Sequence, residues 1–184
     1  LRLANVVLTG FPLAGRDLRS WYLSQCNLAG MDLTGANLAG VYLEGCIFRG
    51  SKLAGASFVK SEAARCLFPE AEAVEADFSR AALSCAVFNG ADLTRAQFAD
   101  AKLFHAQFDG ADLSMCSFRG ADLRYASLKE ATMTETDLQG ADMHGADMHA
   151  ATYRHPLPAG AHGTDEQLAA AARFRPGRRR GLGC

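Results

Sequence analysis

This sequence predicts an all-β solenoid with four flat sides, and two observations predict it. A period of five residues runs from Leu3 to Tyr153 without an insertion or deletion. Within that period, Phe alternates with smaller residues in an order that comes into line when the chain is wrapped at twenty.

The period comes first, because internal repeats decide the fold before any local propensity does. Residues 3, 8, 13 and so on to 153 form a column of thirty-one positions: seventeen Leu, eight Phe, three Met, two Ala (Ala63 and Ala73) and Tyr153. A second column two residues earlier holds seventeen Ala and four Cys. Two residues after the large column, Gly occurs thirteen times. Just before the large residue stands Asp or Asn in many repeats, as at Asp92, Asp112, Asp122, Asp137, Asp142 and Asp147. Neither a helix of 3.6 residues per turn nor a two-residue strand keeps a period of five on one face. The chain must turn a corner every five residues, with one large and one small residue inward and three outward. Gly suits corners that need positive φ, which other residues reach at a cost.

The number of sides follows from the aromatic residues. Wrapped at twenty, Phe48, Phe68, Phe88 and Phe108 fall on one side, and Phe58, Phe78, Phe98 and Phe118 on the opposite side. Leu or Ala occupies the two sides between, whereas a coil of fifteen would scramble the order. Sides one to four therefore begin at residues 1, 6, 11 and 16 of each coil. Thirty-one repeats make nearly eight coils, a rod roughly 37 Å long at a strand spacing of ~4.8 Å. Burial on the order of 1.5–3 kcal/mol for each Leu or Phe holds such a thin core, with chain entropy opposing most of that sum. Ala63 and Ala73 thin the coil 61–80, which is expected to be the weakest.

The stretches Ala36-Asn37-Leu38-Ala39-Gly40, Ala91-Asp92-Leu93, Ala111-Asp112-Leu113 and Ala121-Asp122-Leu123 carry the A(D/N)LxG motif. On them the chain resembles the pentapeptide repeat proteins over residues 1–153. The resemblance implies a right-handed quadrilateral parallel β-helix, all-β, with nearly eight coils of twenty residues.

Two regions depart from the rule. Phe11, Arg16 and Trp21 stand where small inward residues belong, so the first ~20 residues are expected to be irregular. A bare solenoid end exposes apolar surface and unpaired strand edges, and the N-terminal end is expected to be covered by a further domain or a partner. The repeat domain is placed at 1–154. Over 155–184 a linker, a capping helix at about 165–174 and a basic disordered tail are expected. Thr164-Asp165-Glu166-Gln167 reads as a capping box, Arg173 and Arg175 suit the helix C-terminus, and Pro176-Gly177 ends it. A short helix there resembles the C-terminal segment of some quinolone-resistance members, where it supports dimerisation.

Of the six cysteines, Cys26, Cys46, Cys66 and Cys116 share the small inward column with Ala. That placement reads as reduced packing thiols in a reducing, cytosolic compartment rather than as a disulfide framework; a bacterial host is what the family resemblance implies. No run of eighteen apolar residues occurs, so no membrane helix is expected.

With the core fixed by the repeat, function belongs to the outward columns. On side three, Asp32, Glu72, Glu75, Asp92, Asp112 and Glu135 outnumber Lys52 and Arg95. Glu62, Glu70 and Asp77 add to that acidic face, while Lys60, Arg80 and Arg119 make side four mildly basic. Duplex DNA carries a charge per ~1.7 Å; an acidic ladder invites comparison with the quinolone-resistance members that imitate DNA and bind gyrase. A sequence pI near 6.6 and a basic tail speak against it, and Asp is in any case the ordinary occupant of that column. On side two, the outward column reads Val7, Asn27, Ile47, Leu67, Val87, Gln107, Ser127 and Asp147. Three consecutive aliphatics form a stripe there, with Tyr22 and Tyr42 stacked on side one. β-propensity alone explains branched residues on a strand; a contact surface is the other reading.

No nucleophile elbow, P-loop, zinc spacing or dinucleotide fingerprint occurs. His144 and His149 project from adjacent sides, and His155 and His162 lie in the tail, so no metal or other cofactor is expected. The Arg178–Arg180 cluster reads as a solubilising tail, and nucleic acid is not an expected partner. The sequence thus points to a non-enzymatic interaction or scaffold module, its partner another protein or a second copy. The alternatives are gyrase protection or inhibition by DNA mimicry, and the repeat domain of a larger type VI secretion accessory protein.

Overall fold

Five-residue steps dominate the backbone. In this computed structural model, which describes residues 1–153, every fifth residue from Asn5 to Ala150 except Ser20 has a positive φ. Thirteen of these corners are Gly, and sixteen are other residues held at φ 52–62°. The corner is closed locally: the amide of Ala86 donates to the carbonyl of Leu83 across Ser84 and Cys85, at 3.0 Å. Three further amides of a repeat reach neighbouring coils. Cys85 and Phe88 donate to the carbonyls of Phe104 and Gln107, at 2.9 and 2.7 Å, while Val87 donates back to Cys66 at 3.0 Å.

From Asp17 to Thr132, each residue just before the large inward position bridges, in parallel, the residue twenty further on. Side two runs Val7, Asn27, Ile47, Leu67, Val87, Gln107, Ser127, Asp147, and side three runs Asp32, Lys52, Glu72, Asp92, Asp112, Thr132. Continuous strands form at β1 (Arg2–Ala4) and β2 (Tyr22–Ser24), paired in parallel with Leu3 opposite Leu23. Elsewhere the corners leave one bridging residue per side. Pro12 has no N–H to donate, and side three's ladder begins at Asp32 among the described residues.

Phe48 to Phe118 are all fully buried. Within the side-two column successive rings lie 4.7–5.0 Å apart and within 5° of parallel. The side-four column stacks at 4.7–5.0 Å and within 15° of parallel. The two columns also meet each other edge to face, as Phe78 meets Phe88 at 5.5 Å and 82°. Rings stacked in one direction and T-shaped in the other use both favourable arrangements of the aromatic quadrupole. Leu on sides one and three fills the flanks.

Ala63 and Ala73 are buried in that same core. Their coil also holds Ser61, whose buried hydroxyl has no hydrogen-bond partner. The comparable hydroxyls of Ser51 and Thr136 donate to the carbonyls of Phe48 and Leu113, at 2.7 and 2.9 Å. An unsatisfied buried hydroxyl costs about 1–3 kcal/mol. Ser61→Ala is therefore expected to stabilise the chain by about 1 kcal/mol in urea denaturation; a lower midpoint would show that the hydroxyl is satisfied.

Cys26, Cys46, Cys66 and Cys116 are buried free thiols, and Cys85 is an exposed one. Burial pushes Cys46 and Cys116 up to about 12 and Cys66 well above its ordinary value. These thiols are packing groups, as Cys66 and Cys116 also donate to the carbonyls of Leu43 and Leu93, both at 2.9 Å.

At the N-terminal end Leu8, Leu13 and Leu18 keep their inward places. Phe11 is 55% exposed and Trp21 half-buried. With Pro12, Leu13, Arg16, Asp17 and Leu18 they line an open cavity of about 370 Å³. The expected capping box, the helix at 165–174, the Arg178–Arg180 tail and His155 and His162 lie outside the described residues.

Candidate functional site

Ile47, Leu67 and Val87 stand one above another, joined by the bridges Ile47–Leu67 and Leu67–Val87. Leu67 is 37% exposed, and its two neighbours are half-buried because each shades the next. Beside Leu67, Pro69 is half-buried on the same side. The column is polar above and below, at Asn27 and Gln107, so the coil does not require aliphatics at this position.

Tyr22 and Tyr42 stack face to face on side one, 4.6 Å apart and 1° from parallel. The Arg2 guanidinium lies over the free face of Tyr22 at 4.4 Å. The Tyr42 hydroxyl donates to Glu44, which also accepts from Arg65. That hydrogen bond to Glu44 holds the phenol in its protonated form, and Tyr42 is pushed up to about 12. These tyrosines therefore belong to a ladder of their own, tied into local ion pairs, rather than to the aliphatic stripe.

The surface continues into an aromatic cluster at the corner between sides one and two. His105 stacks on Tyr125 at 5.3 Å; Phe104 meets both edge-on, at 4.3 and 5.7 Å. His144 approaches Tyr125 at 5.6 Å, and Arg124 covers Phe104 at 5.6 Å. Sequence reasoning on the columns missed this group, because its members come from two adjacent outward positions rather than from one. The signal was present: the position after the large residue on side one is Ala4, Ser24, Glu44, Ala64 and Ser84 before it becomes Phe104.

The acidic face has a local explanation. Asp32, Asp92 and Asp112 each accept, through Oδ1, the backbone N–H two residues on, at 3.0, 3.0 and 2.9 Å. Asn27, Asn37, Asp77, Asp137, Asp142 and Asp147 do the same on the other sides. This is the Asx turn, and it occupies an amide that the corner turns away from the ladder. The backbone N–H of Thr34 accordingly lowers the Asp32 carboxyl below its usual range. Glu75 pairs with Arg95 at 3.3 Å along a corner, and Lys52 interrupts the column between Asp32 and Glu72. Asp92→Ala is expected to cost about 1 kcal/mol, as the loss of a cap does, whereas Asp92→Asn keeps the acceptor and costs a fraction of that. Equal losses in urea melts of the two variants would mean that charge, not the Asx turn, accounts for the residue.

Among the described residues no cluster of His, Cys, Asp or Glu suits a metal ion. No helix among them is long and apolar enough to cross a membrane.

The sequence model described as Pentapeptide repeats (8 copies) matches residues 17–50, 46–84, 74–106, 81–120 and 116–152. No curated protein matches the chain. Among solved structures, a trypsin-treated variant of QnrB1, a plasmid-mediated fluoroquinolone resistance protein, is 16% identical over 94% of each chain, with a TM-score of 0.39. HetL, a protein involved in heterocyst differentiation regulation from the cyanobacterium Nostoc, is 28% identical over 88% of this chain and 84% of its own, with a TM-score of 0.28. A protein from the Arabidopsis thaliana thylakoid lumen is 22% identical over 96% and 91%, with a TM-score of 0.23.

Proposed function

This chain belongs to the pentapeptide repeat family, and on that premise we propose that it is a non-enzymatic interaction module whose working surface is side two. Pentapeptide repeat proteins form right-handed β-helices and are generally structural or interaction modules. Within that class, our reading is a rod of nearly eight quadrilateral coils over 1–154. Five free thiols among the described residues support a reducing compartment. The exposed Phe11 and the open cavity beside it support an N-terminal end covered by another surface.

The observation that carries the reading is the uninterrupted run Ile47, Leu67, Val87 on an outward ladder whose other rungs are largely polar. Folding accounts for the inward columns and for the Asx-turn residues, and β-propensity suits Ile47 and Val87 but not Leu67 between them. An outward aliphatic run with an exposed Leu67 at its centre is what a contact surface needs. The acidic face is not needed for the reading, since its aspartates already close turns.

Leu67→Lys puts a charge at the centre of the stripe. The residue lies outside the core, so the melt is expected to stay within about 3 °C of the parent. Capture of partner protein, read by pull-down with identification of what is bound, is expected to fall at least about tenfold, since a buried unpaired charge is costly at an interface. Unchanged capture with an unchanged melt reduces the stripe to β-propensity. A collapsed melt would mean that the column points inward.

A further inference from the structure

Side two is charged differently along its two long borders. The corner that opens it carries Gly45, Arg65, Cys85, His105 and Tyr125; the corner that closes it carries Gly50, Glu70, Gly90, Gly110 and Glu130. Arg65 and Glu70 thus lie in the same coil, at opposite borders of Leu67. The Arg65 side chain is 70% exposed even while it donates to Glu44, and Glu70 is exposed. Two coils further on, His105 and Asp109 repeat the arrangement, with Asp109 accepting from Ser127 and from the amide of Lys129.

We propose that side two pairs with side two of a second copy, the rods parallel and related by a twofold axis that runs along them. The proposal rests on the reading of this side as the working surface and names its occupant. A twofold axis along the rod exchanges left and right borders at constant height. Leu67 then meets Leu67, Ile47 meets Ile47 and Val87 meets Val87, each across the axis. Arg65 of one copy faces Glu70 of the other, twice, and His105 faces Asp109. Arg49 and Lys129, the cations on the acidic border, fall opposite Gly45 and Tyr125. An axis across the rod, which would make the copies antiparallel, keeps each border on its own side. It would set Arg65 against Arg65 and Glu70 against Glu70 around the same apolar centre. Charge therefore selects the parallel arrangement, as complementary borders select register at interfaces generally. The corner glycines at Gly50, Gly90 and Gly110 keep the closing border low, where the longer side chains of the facing opening border come to lie. The side spans about three extended residues, ~10 Å, along a rod of roughly 37 Å, so the interface lies below the standard specific size and the dimer is a weak, reversible one.

Sedimentation equilibrium of the whole chain between about 10 and 500 µM tests this, with affinity read as Kd. The parent is expected to dimerise reversibly, and Arg65→Glu and Glu70→Arg each to weaken the dimer at least about tenfold. The double variant, which restores the pair with its signs exchanged, is expected to return within about threefold of the parent. Orientation is read separately in a Cys85→Ser background. Val87→Cys is expected to cross-link to itself under a mild thiol oxidant. Cross-linking instead of Ile47→Cys to Val87→Cys marks the antiparallel arrangement and overturns the proposal, as does a double variant no tighter than the singles. A parent that is monomeric throughout also overturns it. In that case, loss of capture in Leu67→Lys keeps side two as a surface for another protein, and unchanged capture removes both readings.

Discussion

Phe88→Ala is expected to lower the free energy of unfolding by about 3–5 kcal/mol. Phe88 is fully buried, stacks on Phe68 and Phe108 at 4.7 and 5.0 Å, and meets Phe78 and Phe98 edge-on at 5.5 and 5.8 Å. Removing the ring deletes the burial of the ring itself and leaves four other rings facing a void, so transfer and cavity contributions add. In a solenoid each coil touches only its neighbours. The damage is therefore not shared across the molecule, and the coils on either side of residue 88 are expected to unfold less cooperatively. Urea denaturation followed by near- and far-ultraviolet circular dichroism reads both effects. A loss below about 1.5 kcal/mol would mean that the neighbouring coils close the gap, and that the Phe columns are not the central support of the rod.

The second expected result runs the other way. Lys60→Gly, Met115→Gly and Glu130→Gly together are expected to stabilise the chain by about 2 kcal/mol. These corners hold φ at 58°, 59° and 57°. A left-handed backbone costs a residue with a Cβ roughly 1–2 kcal/mol, and Gly returns about 0.5–1 of that through its freer unfolded chain. A net gain of about 0.5–1 kcal/mol per site remains. The three corners lie in different coils and on different edges, so their effects are expected to add. The opposite exchange is unfavourable: a Cβ at Gly145 would lie 2.5 Å from the Tyr125 ring, in addition to the cost of φ +71°. If the triple variant melts at or below the parent, the side chains at these corners contribute more than their strain costs.

Those corners also show where the sequence was legible and where it was not. The period of five predicted a turn at every fifth residue, and Gly at thirteen of them named the backbone conformation. The same conformation at Arg, Glu, His and Tyr corners could be inferred only from the period, because their identities argue against it. The Phe columns were legible from spacing. Their edge-to-face meeting across the core was not, since spacing gives height and side but no depth. Asp32, Asp92 and Asp112 were legible as a column of charge, and their turn-closing hydrogen bonds reassign them to local backbone chemistry. The stripe at Ile47, Leu67 and Val87 was read directly. Phe104 and Tyr125 escaped because a corner side chain reaches across two outward positions, which a column-by-column reading keeps apart.

The offset of twenty that joins Val7 to Asn27 and runs unbroken from Asp17 and Asn37 to Thr132 and Thr152 makes length and azimuth separate variables. Removing residues 81–100 would take out one full revolution. The rod would lose one rung of ~4.8 Å, and Gln107 would come to rest directly beyond Leu67, still on the same face. Removing only residues 81–85 would instead swing everything downstream by a quarter-turn, carrying Gln107 off the side that holds Leu67. Evolution of such a chain is therefore quantised: whole revolutions lengthen or shorten a surface, and single repeats redirect it.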